Sequence, residues 1–301
     1  MPPAVAIGLG VVSCISLLSR ANAYLSKQAL NNTPTGKPWS PEQEIVVITG
    51  GSGGIGVALV KLLASQGTKT IIFDVVEPPA GLTNPNTFFY NLDLTDSSAI
   101  KAIAARVRSE HGNPTILINN AGIESNLSIL ALPEPNLRSV FDVNIIAHFL
   151  LVQELLPAMI SSNHGHIVTV ASLASFTTHA INIDYACTKA AALAFHEGLG
   201  QELRHVYKAN GVRNTIVHPG WVRTPIIQKM VDSDARKGQI LEPRDVAEAI
   251  VNQIMAGAGG QLFLPSKYWF VSLVRGLPAW VQEGVRNKLS VTRIAVYGGK
   301  E

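Results

Sequence analysis

Residues 44–56 read EIVVITGGSGGIG, from Glu44 to Gly56. Ile45–Thr49 is an almost uninterrupted β-branched run, the pattern of a strand buried on both faces. It passes directly into Gly50, Gly51, Ser52, Gly53 and Gly54, and then into the helical pattern Ile55–Gln66. Glycines permit a sharp turn and a close backbone approach. The helix that follows aims its free N–H groups and positive dipole end at whatever the turn holds, and a pyrophosphate fits such a place. A glycine-rich turn alone is weak evidence. Set between a buried strand and a helix, it is specific.

The same alternation continues along the chain. Further strand patterns lie at Thr70–Val75, Phe88–Leu92, Thr115–Asn119, His166–Ala171, Gly211–Val217 and Gln261–Leu264. Helical patterns fill Ser97–Glu110, Asn136–Ile160, Tyr185–Tyr207 and Pro243–Met255. Strands alternating with helices predict an α/β fold, a single doubly wound parallel sheet of seven strands with helices on both faces. Glu77–Asn86 (EPPAGLTNPN) is too rich in Pro and Asn for a helix, so one crossover is expected to be a loop. The second strand ends at Asp74. A carboxylate there accepts hydrogen bonds from adenosine ribose hydroxyls and repels a 2′-phosphate. No Lys or Arg stands at Gly51–Gly53 or Val75 to receive such a phosphate, which points to NAD over NADP.

Composition narrows the classes. The chain has 301 residues, 47% hydrophobic and 15% charged, which excludes a disordered protein and permits a large core. A net charge of +3, scattered along the chain, gives no argument for nucleic acid. Two cysteines, Cys14 and Cys187, exclude a disulfide scaffold and a cysteine zinc site.

Tyr185 and Lys189 stand four apart, on one helix face. A free phenol has a pKa of about 10, too high for a base at neutral pH. A nearby ammonium and an oxidised nicotinamide ring would both favour tyrosinate. Tyr185 would then take the hydroxyl proton of an alcohol while hydride leaves the same carbon, or donate to a carbonyl in reverse. Ser172 closes the strand His166–Ala171, where its hydroxyl could hold the substrate oxygen. Asn144 interrupts an apolar helical run and reads two ways: an asparagine bonded to backbone at a bend, or an anchor for a water serving Lys189. Cys187, one step off the catalytic face, reads as packing, and His164 and His166 as structural. Gly220–Glu242 is long enough to act as a lid, with Trp221, Ile226, Ile227 and Met230 as an apolar wall, ordinary packing being the alternative.

Together these residues resemble the short-chain dehydrogenase/reductase family, from Glu44 to about Pro265. The family's TGxxxGxG matches Thr49, Gly50, Gly54 and Gly56; its NNAG matches Asn119, Asn120, Ala121 and Gly122. Its tetrad matches Asn144, Ser172, Tyr185 and Lys189. Its adenine-side Asp matches Asp93, and its PGxxxT matches Pro219, Gly220 and Thr224. The resemblance implies a single Rossmann domain with one nicotinamide cofactor and no metal. It places Ser52, Ile55, Leu94 and Val222 beside that cofactor with the residues just named. It also implies a homo-oligomer, a homodimer or a tetramer.

A narrower likeness, carried by Asn163–Ser172, Ala147–Phe149 and Leu289…Gly298, is to the branch with hydroxysteroid and retinol dehydrogenases. That branch implies apolar alcohols as substrates and a cytosolic catalytic domain on endoplasmic reticulum or lipid droplets. Two other readings stay open: a ketoreductase of a biosynthetic pathway, and a non-catalytic nucleotide-binding scaffold.

Both ends of the chain are apolar. Pro2–Leu18 carries no charge and would span ~26 Å as a helix, the lower limit for a bilayer. Arg20, Lys27 and Lys37 follow it, favouring a membrane segment over residues 1–30 with the body cytosolic. A cleaved signal peptide ending at Ala21-Asn22-Ala23 and a buried helix are the alternatives. Residues 31–43 read as a linker and 44–265 as the catalytic domain. In the extension 266–301, Tyr268, Trp269, Phe270 and Trp280 sit among basic residues including Lys267, Arg275, Arg286, Lys288 and Arg293. That composition suits a membrane–water interface, or else a core cap or dimer seam.

Overall fold

The structure, a computed structural model, describes residues 3–31, 39–233 and 240–298. The strands are β1 (Ile45–Thr49), β2 (Lys69–Asp74), β3 (Thr87–Asn91), β4 (Ile116–Asn119), β5 (Gly165–Val170), β6 (Val212–Pro219) and β7 (Gly260–Leu264). They form one sheet in the order β3-β2-β1-β4-β5-β6-β7, every pair parallel. The strand order reverses direction between β1 and β4. In such sheets a crevice opens there, above the C-terminal strand ends.

The pleat sorts the apolar residues onto two faces. Val47, Ile71, Phe73, Leu117 and Ile167 face α3 (Ser97–His111), α5 (Ala147–Ser162) and α6 (Ile183–His205). Val46, Ile48, Ile72, Ile118 and Val168 face α2 (Gly54–Ser65) and α8 (Pro243–Met255). Each face therefore has a dry core, which explains why the strands read as continuous apolar runs. The expected alternation holds throughout, with strand ends moved by a residue or two. Glu77–Asn86 contains no helix, as its prolines require.

The expected helix Asn136–Ile160 is broken in two. α4 (Glu134–Phe141) passes through a π-turn at Asp142–Ile146 before α5 begins. Such turns insert one residue and often mark functional sites. Asn144 sits in this one and is fully buried. Glu134–Ser162 is the stretch long and apolar enough to cross a membrane among the residues searched, yet half of that window is buried against the sheet. Its apolarity is that of a core helix.

At the N-terminus, α1 runs from Pro3 to Asn31, longer than the apolar run alone implied. Leu17, Leu18, Tyr24, Leu25 and Leu30 are all more than half exposed, so no core covers them. The Asn31 side chain accepts from Gly259 N at 2.6 Å, and its carbonyl accepts from Arg213 Nη1 at 2.6 Å. These bonds fasten the end of α1 at the N-terminal edge of β6 and β7, opposite the crevice. The expected linker lies mostly outside the described residues, as does 234–239 of the expected lid. After β7, a 3₁₀ segment (Ser266–Gly276) leads to α9 (Ala279–Tyr297), and both return to the crevice side.

Candidate active site

The turn after β1 is built at the limit of backbone contact. Gly50 has φ +65°, and a Cβ there would meet Ala121 Cα at 2.9 Å. A Cβ on Gly56 would lie 2.0 Å from Gly50 O, so the first turn of α2 closes on the loop only with glycine. The Thr49 hydroxyl accepts from Asn120 N and Ala121 N, each at 3.0 Å. The Asn120 amide donates back to Thr49 O and Gly50 O at 3.0 and 3.1 Å. The β1 and β4 ends are thus stitched together across the point where the strand order reverses.

Asp74 ends β2 beside this loop. Its two oxygens accept from Ser52 N at 3.0 Å and from Val76 N at 3.1 Å, which fixes the carboxylate toward the crevice. Asp93 is held by its own turn, accepting from Thr95 N and Thr95 Oγ1.

Above the loop lies a cavity of about 510 Å³. Of the residues expected at the cofactor, Gly50, Gly54, Ile55, Asp74, Asp93, Leu94, Asn120, Ala121, Gly122, Pro219, Gly220, Val222 and Thr224 line it. Ser172, Tyr185 and Lys189 line it as well. Thr49, Ser52, Gly56 and Asn144, also expected at the site, are not among its lining residues. The residues fit a nicotinamide dinucleotide: the cradle has no room for a side chain at Gly50, Gly51, Gly54 or Gly56, and Ser52 Oγ is buried with no hydrogen-bond partner among the described residues. Such an orphaned hydroxyl calls for an outside acceptor or donor.

A second cavity, about 410 Å³, adjoins the first. Ser172, Tyr185, Pro219, Gly220, Ile226 and Ile227 line both. Its outer wall comes from the C-terminal extension, through Tyr268, Phe270, Val271, Val285 and Leu289. Trp221 joins that wall. Met230, expected there, instead packs with Ile227 and Tyr297 in a small core beneath.

Tyr185 and Lys189 share a face of α6, with Nζ 5.3 Å from the ring centroid. Lys189 Nζ donates to Val170 O at 2.9 Å. Burial pulls its pKa down to about 8, against a smaller rise from the Glu124 carboxylate. Burial also raises the Tyr185 pKa, and Glu124 adds to the rise. The Ser172 hydrogen bond and Arg293 oppose it with smaller effects. In the protein alone, desolvation of the phenolate therefore dominates, whereas the expected lowering rests on the ammonium and an oxidised nicotinamide together.

Asn144 Oδ1 accepts from Ile123 N at 2.9 Å. Its amide donates to Ile123 O at 2.9 Å and to Thr188 Oγ1 at 3.0 Å. These bonds clamp the β4 exit to α6. Ser172 caps the short 3₁₀ turn Leu173–Ser175, its Oγ accepting from Ala174 N at 3.1 Å. His218 supports it from behind, with Nδ1 bonded to Ser172 O at 3.0 Å and Nε2 to the Gln261 amide at 2.9 Å. A backbone acceptor on one side and an amide donor on the other fix the neutral tautomer, and burial lowers the pKa to about 4. Sequence reading missed His218, because a histidine inside an apolar strand carries no spacing signal. It also missed Glu124, and it misassigned Arg293, counted there as an interfacial charge but only 2% exposed.

The histidines flanking Gly165 are structural: His164 pairs with Glu44 at 3.0 Å and His166 with Thr215 at 2.8 Å. Cys187 is exposed, so it neither packs in the core nor reaches the site. Among the described residues, no group of three potential ligands could hold a metal.

The short chain dehydrogenase family profile matches residues 44–235. The chain is 44% identical over 201 residues to "Dehydrogenase RED2" of Cochliobolus heterostrophus, covering 66% of this chain and 76% of that one. It is 34% identical over 267 residues to human "Estradiol 17-beta-dehydrogenase 11", covering 85% and 87%. Among solved structures it is similar to "4-hydroxyisoleucine dehydrogenase complexed with NADH", at a TM-score of 0.62 and 26% identity. That likeness covers 73% of this chain and 97% of that one.

Proposed function

The chain belongs to the short-chain dehydrogenase family and is an NAD(P)-dependent oxidoreductase; from that premise we propose that it interconverts an apolar alcohol and its ketone or aldehyde, with NAD as the preferred cofactor. One observation carries the reading. Ser172 and Tyr185 stand in the wall common to two cavities, one edged by the glycine loop and Asp74, the other mostly apolar.

When bound, the nicotinamide ring accepts or supplies a hydride at the reacting carbon. The chain's own residues manage the oxygen. Ser172 Oγ holds it and stabilises developing negative charge. Burial favours the protonated phenol of Tyr185 in the protein alone, and that phenol donates its proton to a carbonyl; in the oxidative direction its phenolate takes the proton of the alcohol. Lys189 is held against Val170 O, leaving its other donors for the cofactor ribose and the phenol. Asn144 positions Ile123 and Thr188, keeping α6 in register with the β4 exit. Asp74, the loop glycines, Ser52 and Thr224 would hold the dinucleotide.

The substrate reading, a lipid-, sterol- or retinoid-like alcohol, is supported by the wall of Leu173, Val271, Val285 and Leu289. Human estradiol 17-beta-dehydrogenase 11, a relative along most of this chain, bears a name of that substrate type. A membrane or lipid-droplet surface is supported by the exposed Leu17, Leu18 and Leu25 of α1. Trp269, Phe270, Leu273 and Trp280, exposed outside the second cavity, support it too. The test is a panel of apolar alcohols with NAD and with NADP, read by absorbance of the reduced cofactor. Turnover of polar alcohols alone, or none at all, would sink the reading.

A further inference from the structure

The C-terminal extension does more than wall the second cavity. Residues 173–184 join Ser172 to Tyr185, and the extension grips that segment along its length. Arg275 Nε donates to Phe176 O at 3.2 Å. Ser290 Oγ accepts from Ala180 N at 3.0 Å. One turn further along α9, Arg293 Nη2 donates to Glu124 Oε2 at 2.7 Å, and the Asn182 amide donates to the same oxygen at 3.2 Å. Ser290 and Arg293 stand three apart and share one face of α9.

Between the last two grips lies a strained residue. Ile181 has φ +52°. A β-branched side chain avoids that left-handed conformation, which persists only where the surroundings enforce it. Here Ala180 and Asn182 are held on either side, and the Ile181 side chain packs on the small core of Ile227, Met230 and Tyr297. Asn182 is the N-cap residue of α6, yet its side chain caps nothing. An asparagine there ordinarily accepts from the first free N–H groups of its helix. This one is committed to Glu124, so the helix bearing Tyr185 starts where Glu124 and α9 set it.

Arg293 is the joint of these contacts. It is 2% exposed, and its guanidinium lies 4.7 Å from the Tyr297 ring centroid and 5.6 Å from that of Trp221. Asn126 completes the clasp, donating to Glu124 Oε1 at 3.0 Å and accepting from Arg293. One buried ion pair thus gathers α9, the β4 exit, the start of α6 and the segment after β6.

We propose that Arg293 is a positioning residue for hydride transfer: seated on Glu124, it holds the strained entry to α6 and so fixes the phenol of Tyr185 beside Ser172. This inference rests on the proposed alcohol chemistry and adds the device that sets its geometry. The pair also balances charge at the phenol. Glu124 favours the protonated form and Arg293 opposes it. Lys189 is the other charge at the ring, from its own helix. Asp184 accepts from the Ser125 hydroxyl. Burial keeps His179 and His218 neutral, with pKa values down to about 4, and likewise His148 on the Lys189 side, down to about 3. Removing Arg293 alone therefore leaves an unopposed carboxylate near Tyr185.

The test uses the full-length protein with octanol, decanol and cyclohexanol, oxidised by NAD across a pH series. In Arg293→Met, kcat should fall roughly 10–100-fold, the scale of a misplacement of about 1 Å. KM and NADH binding, read by fluorescence, should stay within about threefold, and the rising limb of kcat/KM against pH should move up by about one unit. In the double variant Glu124→Gln, Arg293→Met, the limb should return while kcat stays low. A merely structural role lowers the melting temperature and leaves the limb in place. Ser290→Ala removes no charge and should lower kcat several-fold with the limb unmoved. Hydrogen exchange reads the grip without turnover: amides of residues 173–185 should exchange faster in Arg293→Met and Ser290→Ala, with those of the central strands unchanged. Should Arg293→Met fail to fold, the double variant and Ser290→Ala decide by kcat and exchange. Wild-type kcat with wild-type exchange in these variants, or a kcat loss with neither a moved limb nor faster exchange, overturns this inference and leaves the proposed function standing. A wild type that oxidises none of the alcohols, with NAD or NADP, overturns the proposed function, and exchange then decides the grip alone.

Discussion

Replacing Asp74 by Asn tests how the cofactor is chosen. The carboxylate accepts one hydrogen bond from Ser52 N and one from Val76 N, so it is oriented by the loop it serves. A 2′-phosphate placed ~5 Å away would be repelled by ~3 kcal/mol per unit charge at an effective dielectric of ~20. The phosphate carries roughly −1.5 to −2 charge, but the site is partly exposed and salt screens the interaction. A net ~3 kcal/mol is a reasonable remainder, or about 100-fold in kcat/KM. Asn keeps one oxygen and presents an amide where the second oxygen stood, so one loop hydrogen bond, about 1 kcal/mol, is lost as well. NADP efficiency should therefore rise 10–100-fold and NAD efficiency fall about tenfold. The assay is kcat/KM for both cofactors at fixed alcohol, with thermal melting to show that the fold survives. A ratio unchanged within about threefold, in a protein that melts normally, would refute the assignment and place the ribose elsewhere.

Tyr185→Phe removes only the phenolic oxygen, and turnover should fall at least 100-fold while NADH binding, read by fluorescence, changes less than about threefold. Acid should weaken the fold. His148 and His166 are fully buried, and burial holds their pKa values near 3 against 6.5 in the unfolded chain. The unfolded chain therefore binds protons first as pH falls below 6.5. Each histidine then removes about 2 kcal/mol of stability by pH 5, seen as a falling melting temperature. A flat melting profile from pH 7 to pH 5 would contradict their burial. Deleting residues 1–30 should shift the protein from the membrane pellet toward the supernatant, since Asn31 keeps its bonds to Gly259 and Arg213. Adding Trp269→Asp and Trp280→Asp should complete the shift; a pellet fraction indifferent to both changes would refute membrane contact.

The sheet was legible because burial on both faces leaves an unmistakable trace. Runs such as Ile45–Thr49 and Ile116–Asn119 have no polar alternation to confuse with another class. The site was legible where chemistry demands fixed spacing, as for Tyr185 and Lys189, or a missing side chain, as at Gly56. It was not legible where a role depends on which way a helix faces. Arg293 and Lys288 look alike in sequence, yet α9 turns one against Glu124 and leaves the other exposed. The π-turn at Asp142–Ile146 was equally hidden, since inserting one residue does not change composition. The rise in the Tyr185 pKa in the protein alone was hidden for a related reason. Spacing shows that an ammonium is near, but not how much water the phenol loses.

The C-terminal extension links the two unresolved halves of the function, what the enzyme acts on and where. Its inner surface supplies Tyr268, Phe270, Val271 and Val285 to the second cavity. Its outer surface exposes Trp269, Leu273, Leu277 and Trp280. Burying such side chains in lipid returns about 1.5–3 kcal/mol each, enough for a few of them to seat the segment on a membrane surface. Phe270 belongs to both surfaces, half exposed and lining the cavity. In the proposed reading, an apolar alcohol then passes from lipid to the wall beside Ser172 and Tyr185 without crossing bulk water. Such a path favours long apolar molecules whatever the hydride chemistry.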